Sequence, residues 1–322
     1  MICFAEKEIL DLPTPSGHAS TLALVGGDVL MAWFGGTAER NPDVDIYMAR
    51  RTAAGWQQPF CVAEEAGMAH WNPVLFAQGN HVTLYYKVGP EIPVWKTRVM
   101  HSDDGGHTFA VPSELVPGDV GGRGPVRNKP LRLASGRILA PASIETPMVW
   151  DAFVDISDDG GLTFRKSAFV PLNRPESPCE GHPVRGKGVI QPTLWQDEQG
   201  VHMLLRSTEG VILRSDSLDE GETWTPAVST GLPNNNSGID LTRIPDGRIF
   251  LVMNPVGRNR GARSPLSLYY SNDDGATFSP LMHLETAPGE YPYPCIIADG
   301  LNLHISYTWQ RRKMAYWKIA LE

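Results

Sequence analysis

Short runs rich in apolar and β-branched residues recur along the whole chain. DVLMAWFGG, HVTLYYKVG, RILAPAS, VHMLLRS, RIFLVMN and LNLHISYTW form one set. A second run precedes each of them: HASTLAL, NPVLFAQ, NKPLRLA, IQPTLWQ, GIDLTRI and YPCIIAD. Alternation with period two, broken by Gly, Pro, Asn and Asp, predicts strands, and almost no stretch carries a helical period. The pattern therefore predicts paired strands, six times over.

An eight-residue phrase punctuates these pairs. SDDGGHTF starts at Ser102, SDDGGLTF at Ser157, SLDEGETW at Ser217 and SNDDGATF at Ser271. A degenerate copy, RRTAAGW, ends at Trp56. The threonines at 108, 163, 223 and 277 are 55, 60 and 54 residues apart, a period that marks a repeat architecture. Asp can bond the amides of a tight turn, Gly supplies positive φ, and Thr can bond back across the turn. The phrase reads as the hairpin joining the third and fourth strands of each unit, its aromatic ring tucked between sheets. Six four-stranded units predict an all-β, six-bladed β-propeller, a single domain over residues 1–322. The N-terminal residues are expected to complete the last blade beside MAYWKIAL.

Composition narrows the function. A net charge of −8, with no run of Lys and Arg, argues against a nucleic-acid surface. No uncharged apolar run approaches the ~20 residues needed to cross a bilayer, and MICFAEKEIL carries no basic-then-apolar leader pattern. A cytoplasmic protein without membrane contact is expected. Cys3, Cys61, Cys179 and Cys295 are widely spaced and read as free, buried thiols rather than a zinc or redox set.

In such a fold the starts of the inner strands converge. The segments SGHAS, AHWNP, GPVRNKP, GKGVIQP, NNNSGID and GEYPYP supply polar and aromatic groups there, where a plugged channel would carry Val, Ile and Leu. They nominate His18, His70, Asn72, Arg127, Lys129, Gln191, Asn236, Tyr291 and Tyr293. No carboxylate completes a metal set with His18 and His70, so neither a metal nor a cofactor is expected.

At this point the chain resembles the sialidase (neuraminidase) superfamily, six-bladed propellers that carry such Asp-box repeats. The resemblance implies an arginine triad for a sugar carboxylate, an aspartic acid/base and a tyrosine nucleophile activated by glutamate. AERNPDVDIYMARR resembles the loop bearing the acid, implying Asp43, with Asp45 and Glu39 as competitors and Arg40 beside it. VHMLLRS and GARSPLSLYY resemble the segments carrying two triad arginines, implying Arg206 and Arg263. GEYPYPCIIADG resembles the strand carrying the nucleophile. Tyr293-Pro294 is in phase with Gln191-Pro192, Lys129-Pro130 and Asn72-Pro73, which favours Tyr293 over Tyr291. A tyrosine suits attack beside a carboxylate, where an anionic nucleophile would be repelled.

Two positions depart from that pattern. SGHASTLAL has His18 and no arginine where the family has Arg-Ile-Pro, and Gln191 stands where the family carries Glu. Glutamine cannot accept the phenolic proton. Arg123, Arg127 or Lys129 are the candidates to restore positive charge. The expectation is an exo-acting glycoside hydrolase on a terminal acidic sugar, sialic acid or a relative, with a carbohydrate as partner. The alternatives are a lyase on a uronate-containing glycan, with His18, His70 or Tyr291 taking the α-proton, and a non-catalytic sugar-binding propeller.

Overall fold

The computed structural model describes residues 1–322. The chain is all-β apart from one 3-10 turn at Ile92–Val94, and its strands form six antiparallel sheets. They are the six blades of a β-propeller, as the repeat predicts. No helix is long and apolar enough to cross a membrane. Two compact units divide the chain: Met1–Val120 with Glu290–Glu322, and Gly121–Gly289.

In the first unit, blade one has inner strand Ser16–Val25, then Asp28–Gly36, Asp45–Thr52 and Gly55–Trp56, with Phe60–Ala63 also pairing on Asp45–Thr52. Blade two runs from His70–Gln78 through His81–Val88 and Lys96–Ser102 to Ser113–Glu114. Blade six holds Cys295–Asp299, Asn302–Trp309 and Lys313–Leu321, and Ile2–Asp11 adds the fourth strand beside the last of these. The N-terminal strand thus completes the last blade, as the sequence suggests.

The second unit holds three blades. Blade three begins at Leu131–Arg132, blade four at Val189–Gln196 and blade five at Asp240–Arg243. The run NKPLRLA yields only a two-residue strand, because Pro130 offers no N–H; ahead of it the Asn128 side-chain Nδ2 donates to the Gln191 and Pro192 carbonyls.

Most inner and second strands are buried on both faces because neighbouring blades pack face to face, the short inner strand of blade three excepted. Val201–Ser207 is buried throughout, whereas Ile2–Asp11 is mostly exposed. One core joins Leu30 and Ile46 of blade one to Leu75 and Leu84 of blade two; another joins Leu139 and Val154 of blade three to Met203 and Leu205 of blade four. Burying each such side chain contributes about 1.5–3 kcal/mol.

The repeated phrase does sit between third and fourth strands. Asp104 Oδ1 accepts from the amides of His107 and Thr108, and Oδ2 from Thr108 Oγ1, while Ser102 Oγ accepts from Gly106 N. Asp159, Asp219 and Asp273 accept from Thr163, Thr223 and Thr277 in the same way. These donors hold the Asp104 carboxyl well below its ordinary range, the Thr108 hydroxyl foremost. The phrase also locks blade to blade. A Cβ on Gly106 would come within 2.8 Å of Leu30, one on Gly221 within 2.9 Å of Leu139, and one on Gly275 within 2.7 Å of Trp195. In each case the glycine lies against the preceding blade.

All four cysteines are free, but only Cys295 is buried. Cys3 and Cys61 are exposed because each lies on an outer strand, which corrects the expectation of buried thiols.

Candidate functional site

A bulge interrupts the inner strands where the sequence places its polar and aromatic groups. Pairing registers break between His18 and Thr21, Trp71 and Val74, and Ile190 and Thr193. Within those breaks Ala19, Asn72 and Gln191 take φ of 59°, 29° and 53°. Asn236 and Tyr293 do the same at 59° and 58°, just ahead of their strands. A non-glycine residue there costs about 1–3 kcal/mol. Pro73, Pro192 and Pro294 follow three of them. Proline cannot donate to the ladder, so pairing lapses and the bulge re-aims the preceding side chain.

In the second unit these bulges build a cage around Arg206, which is only 6% exposed. Its Nη1 donates to Gln191 Oε1 at 2.9 Å, Nε to Asn236 Oδ1 at 3.0 Å and Nη2 to the Asn236 carbonyl at 2.5 Å. Asn236 Nδ2 in turn donates to Asn259 Oδ1 at 3.0 Å. These three acceptors are amide oxygens, which carry no net charge and orient the guanidinium. A planar cation held this way suits an oxyanion. Asn259 went unnoticed in the sequence; its signal is the GRNRG loop between two strands of blade five.

The other cations of this unit differ. Lys129 Nζ bonds both oxygens of the buried Asp240, at 2.9 and 2.8 Å, and the Leu241 carbonyl. Arg123 pairs with the fully buried Asp155 at 3.0 Å. Two of the three candidates for restoring positive charge are therefore engaged by a carboxylate. Arg127 is 1% exposed, deep in the core. Arg263 is half-buried in the loop between the second and third strands of blade five, its carbonyl accepting from Asn254 Nδ2 at 3.0 Å.

In the first unit the structure separates the two tyrosines. Tyr291 is 2% exposed and its hydroxyl accepts from Gln310 Nε2 at 3.0 Å. Tyr293 is half-buried, with its ring 4.3 Å from that of His18. His18 Nδ1 lies 2.8 Å from Thr308 Oγ1, which already accepts from Ala19 N.

Asp43 is exposed and closes its own loop, accepting from Thr37 N and Thr37 Oγ1 at 3.0 Å each. It is not paired with Arg40, which is exposed at φ 80°. Glu39 instead receives Arg311 Nη1 at 2.5 Å, and Arg311 Nε bonds Glu290 at 2.9 Å. Arg311 was missed because nothing in WQRRKMAYW separates it from a solvated turn. In the fold its carbonyl accepts from Gly17 N, next to His18.

His70 is 1% exposed; its Nδ1 bonds the Val44 and Met68 carbonyls, and the ring stacks on Tyr86. It is a packed core group, and Asn72 beside it is 5% exposed. Asp45 lies 3.6 Å from His70, and burial raises its pKa, with His70 opposing and Glu64 and Asp43 adding to the rise. Ligand atoms of Asp45, Cys61 and Glu64 fall within 4.8 Å of one another. Burial pushes the Cys61 thiol up to about 11, so a cation taken here would first have to displace that proton.

Comparison with known proteins agrees with this architecture. The model of the BNR repeat-like domain matches residues 27–305. No curated protein sequence matches. Among solved structures, a protein of unknown function from Dyadobacter fermentans superposes with TM-score 0.76 at 17% identity, over 100% of both chains. A Trypanosoma rangeli sialidase gives 0.76 at 12% identity, covering 99% of this chain and 60% of that one. A NanB sialidase variant from Streptococcus pneumoniae gives 0.74 at 12% identity, covering 98% of this chain and 70% of that one. Identities this low establish the fold alone, and the chain spans about three-fifths of the trypanosomal enzyme.

Proposed function

Since the chain belongs to the BNR repeat-like domain family, we propose that it is a sialidase-like exo-glycoside hydrolase that removes a terminal acidic sugar from a glycan. The observation that carries this reading is the buried Arg206, oriented by the amide oxygens of Gln191 and Asn236. Such a guanidinium is built to receive a carboxylate with two parallel bonds. In this reading Arg206 and Arg263 hold the carboxylate, Asp43 is the acid/base and Tyr293 the nucleophile. Tyr293 is chosen over Tyr291 because the Tyr291 hydroxyl is buried and bonded to Gln310. Carbohydrate is the only partner required, and no cofactor is invoked.

The test is hydrolysis of aryl glycosides of sialic acid and of uronic acids by the wild type, Arg206→Ala and Arg263→Ala. Each substitution is expected to raise KM and to lower kcat/KM by about 2 kcal/mol or more, roughly thirtyfold. Wild-type kinetics in both variants would remove the clamp.

One observation favours a second reading. His18 and Tyr293 are in ring contact at 4.3 Å, and a histidine beside a tyrosine can take the α-proton of a uronate while the tyrosine hydroxyl gives a proton to the departing glycosidic oxygen as its bond to carbon breaks. That chemistry is elimination, and it leaves an unsaturated, ultraviolet-absorbing sugar end. Appearance of that chromophore with an oligouronate would assign the lyase; reducing sugar without it would assign the hydrolase.

A further inference from the structure

The loop joining the second and third strands of blade five, Ile249–Met253 and Leu266–Ser271, reads NPVGRNRGARSP over residues 254–265. It carries Arg258, Arg260 and Arg263, and no acidic residue stands between Asp246 and Asp273, in a chain of net charge −8. The same loop is tied to the Arg206 cage. Arg206 Nε donates to Asn236 Oδ1 and Asn236 Nδ2 to Asn259 Oδ1, each at 3.0 Å. Arg260 N donates to the Asn235 carbonyl at 3.0 Å, and Asn235 Nδ2 returns a bond to the Ala262 carbonyl at 2.6 Å. Gly261 N closes the turn on the Arg258 carbonyl at 2.7 Å. Asn259 is thus two hydrogen bonds from Arg206, and the residues on either side of it are Arg258 and Arg260.

Those two side chains are exposed, and neither has an acidic partner. Arg165, also exposed and in the same unit, is by contrast paired with Glu222 and Asp158. Two like charges flanking one anchored residue repel each other, and no carboxylate of the chain offsets that repulsion. An anion brought in from outside does so, and the planar fork of an arginine meets a carboxylate or a tetrahedral oxyanion with parallel bonds. The position of the loop decides which anion. Arg206 takes the carboxylate of the terminal sugar in the reading given above, so a charge that reaches Arg258 and Arg260 sits on the sugars that follow it.

We propose that the substrate is a polyanionic glycan, in which the sugars adjoining the terminal acidic one carry a further carboxylate or sulfate held by Arg258 and Arg260. This inference rests on the reading of Arg206 as the receiver of the terminal carboxylate and adds the substrate class to it. Salt screens exposed charges far more than buried ones. The preference for the second anion should therefore fade as ionic strength rises, while binding of the terminal sugar through Arg206 persists.

The probes are matched pairs in which one member carries a second anionic group: sialic and disialic acid, galacturonic and digalacturonic acid, and the chondroitin disaccharide ending in glucuronate, unsulfated and sulfated. Each is titrated calorimetrically into the full chain as wild type, Arg206→Ala, Arg258→Gln, Arg260→Gln and the double glutamine variant, with melting temperatures to show that the variants are folded. At low salt the wild type should bind the doubly anionic member roughly threefold to tenfold more tightly. The double variant should lose that margin and bind the singly anionic member as before. A margin in the disialic or digalacturonic pair assigns the second anion as a carboxylate, and one in the chondroitin pair as a sulfate. No margin in any pair, or a margin kept by the folded variants, would overturn this inference and leave the terminal-sugar reading standing if Arg206→Ala still loses both members. Binding that survives Arg206→Ala, or no binding of any probe, would overturn that reading and this inference with it.

Discussion

Arg206 Nη1 donates to Gln191 Oε1 across 2.9 Å. The residue that departs from the sialidase pattern thus touches the very arginine that the pattern retains. An amide at this point orients the cation without adding a negative charge; a carboxylate would add one that competes with a ligand's. Gln191→Glu is therefore expected to weaken binding of an acidic sugar by roughly tenfold or more. Calorimetric titration with free sialic and uronic acids measures this. Equal or tighter binding would show that the carboxylate docks elsewhere.

The two tyrosines should respond differently to loss of the hydroxyl. Tyr291→Phe removes the bond from Gln310 and should destabilise the fold by about 1 kcal/mol. Tyr293→Phe should abolish turnover while the denaturation midpoint stays close to wild type. Paired urea melts and turnover assays separate the roles, and turnover surviving in Tyr293→Phe would exclude it as the nucleophile.

Gly275 has φ 79°, and a Cβ there would meet Trp195 at 2.7 Å. Gly275→Ala combines backbone strain with overpacking and should cost about 2–4 kcal/mol. Gly300, on a comparable positive φ of 56° but with nothing within 4 Å, should cost no more than the backbone strain, about 1 kcal/mol. Equal melting temperatures for the two variants would refute the blade-locking role of the repeated turn.

Stability should fall on acidification because of His304. It is 6% exposed, bonded to the Tyr316 hydroxyl, and burial, assisted by Lys318, lowers its pKa from 6.5 to about 4. The unfolded chain binds this proton more readily than the folded one. The contribution is thus complete above pH 6.5 and lost as pH falls towards 4, amounting to about 3 kcal/mol. Urea melts of wild type and His304→Gln across this window should differ in slope.

His202 has the opposite sign. Burial lowers its pKa, but Asp216 at 2.6 Å and Asp197 at 2.9 Å outweigh that and raise it above 6.5 overall. Here the folded chain holds the proton more tightly. Its contribution is complete below pH 6.5 and lost as pH rises through the elevated value. His202→Gln should flatten the alkaline decline in stability; an unchanged profile would show that the two aspartates do not hold a charged imidazole.

Much of this protein is written in local sequence. Asp104, Gly106 and Thr108 make their turn from groups within a few residues of one another, so the phrase that contains them announces its own geometry, and the six pairs of apolar runs that it punctuates announce six blades. The X-Pro steps at Asn72, Gln191 and Tyr293 likewise mark positive-φ residues, the first two in bulges and the third just ahead of its strand, that any reading in phase can find. What the fold alone decided is which partner each cation meets. Lys129 is neutralised by Asp240 from 111 residues away, Arg311 is held by Glu39 from 272 residues away, and Arg206 meets amides instead. Turn chemistry depends on neighbours in sequence, whereas the electrostatics of a buried cation depend on neighbours in space.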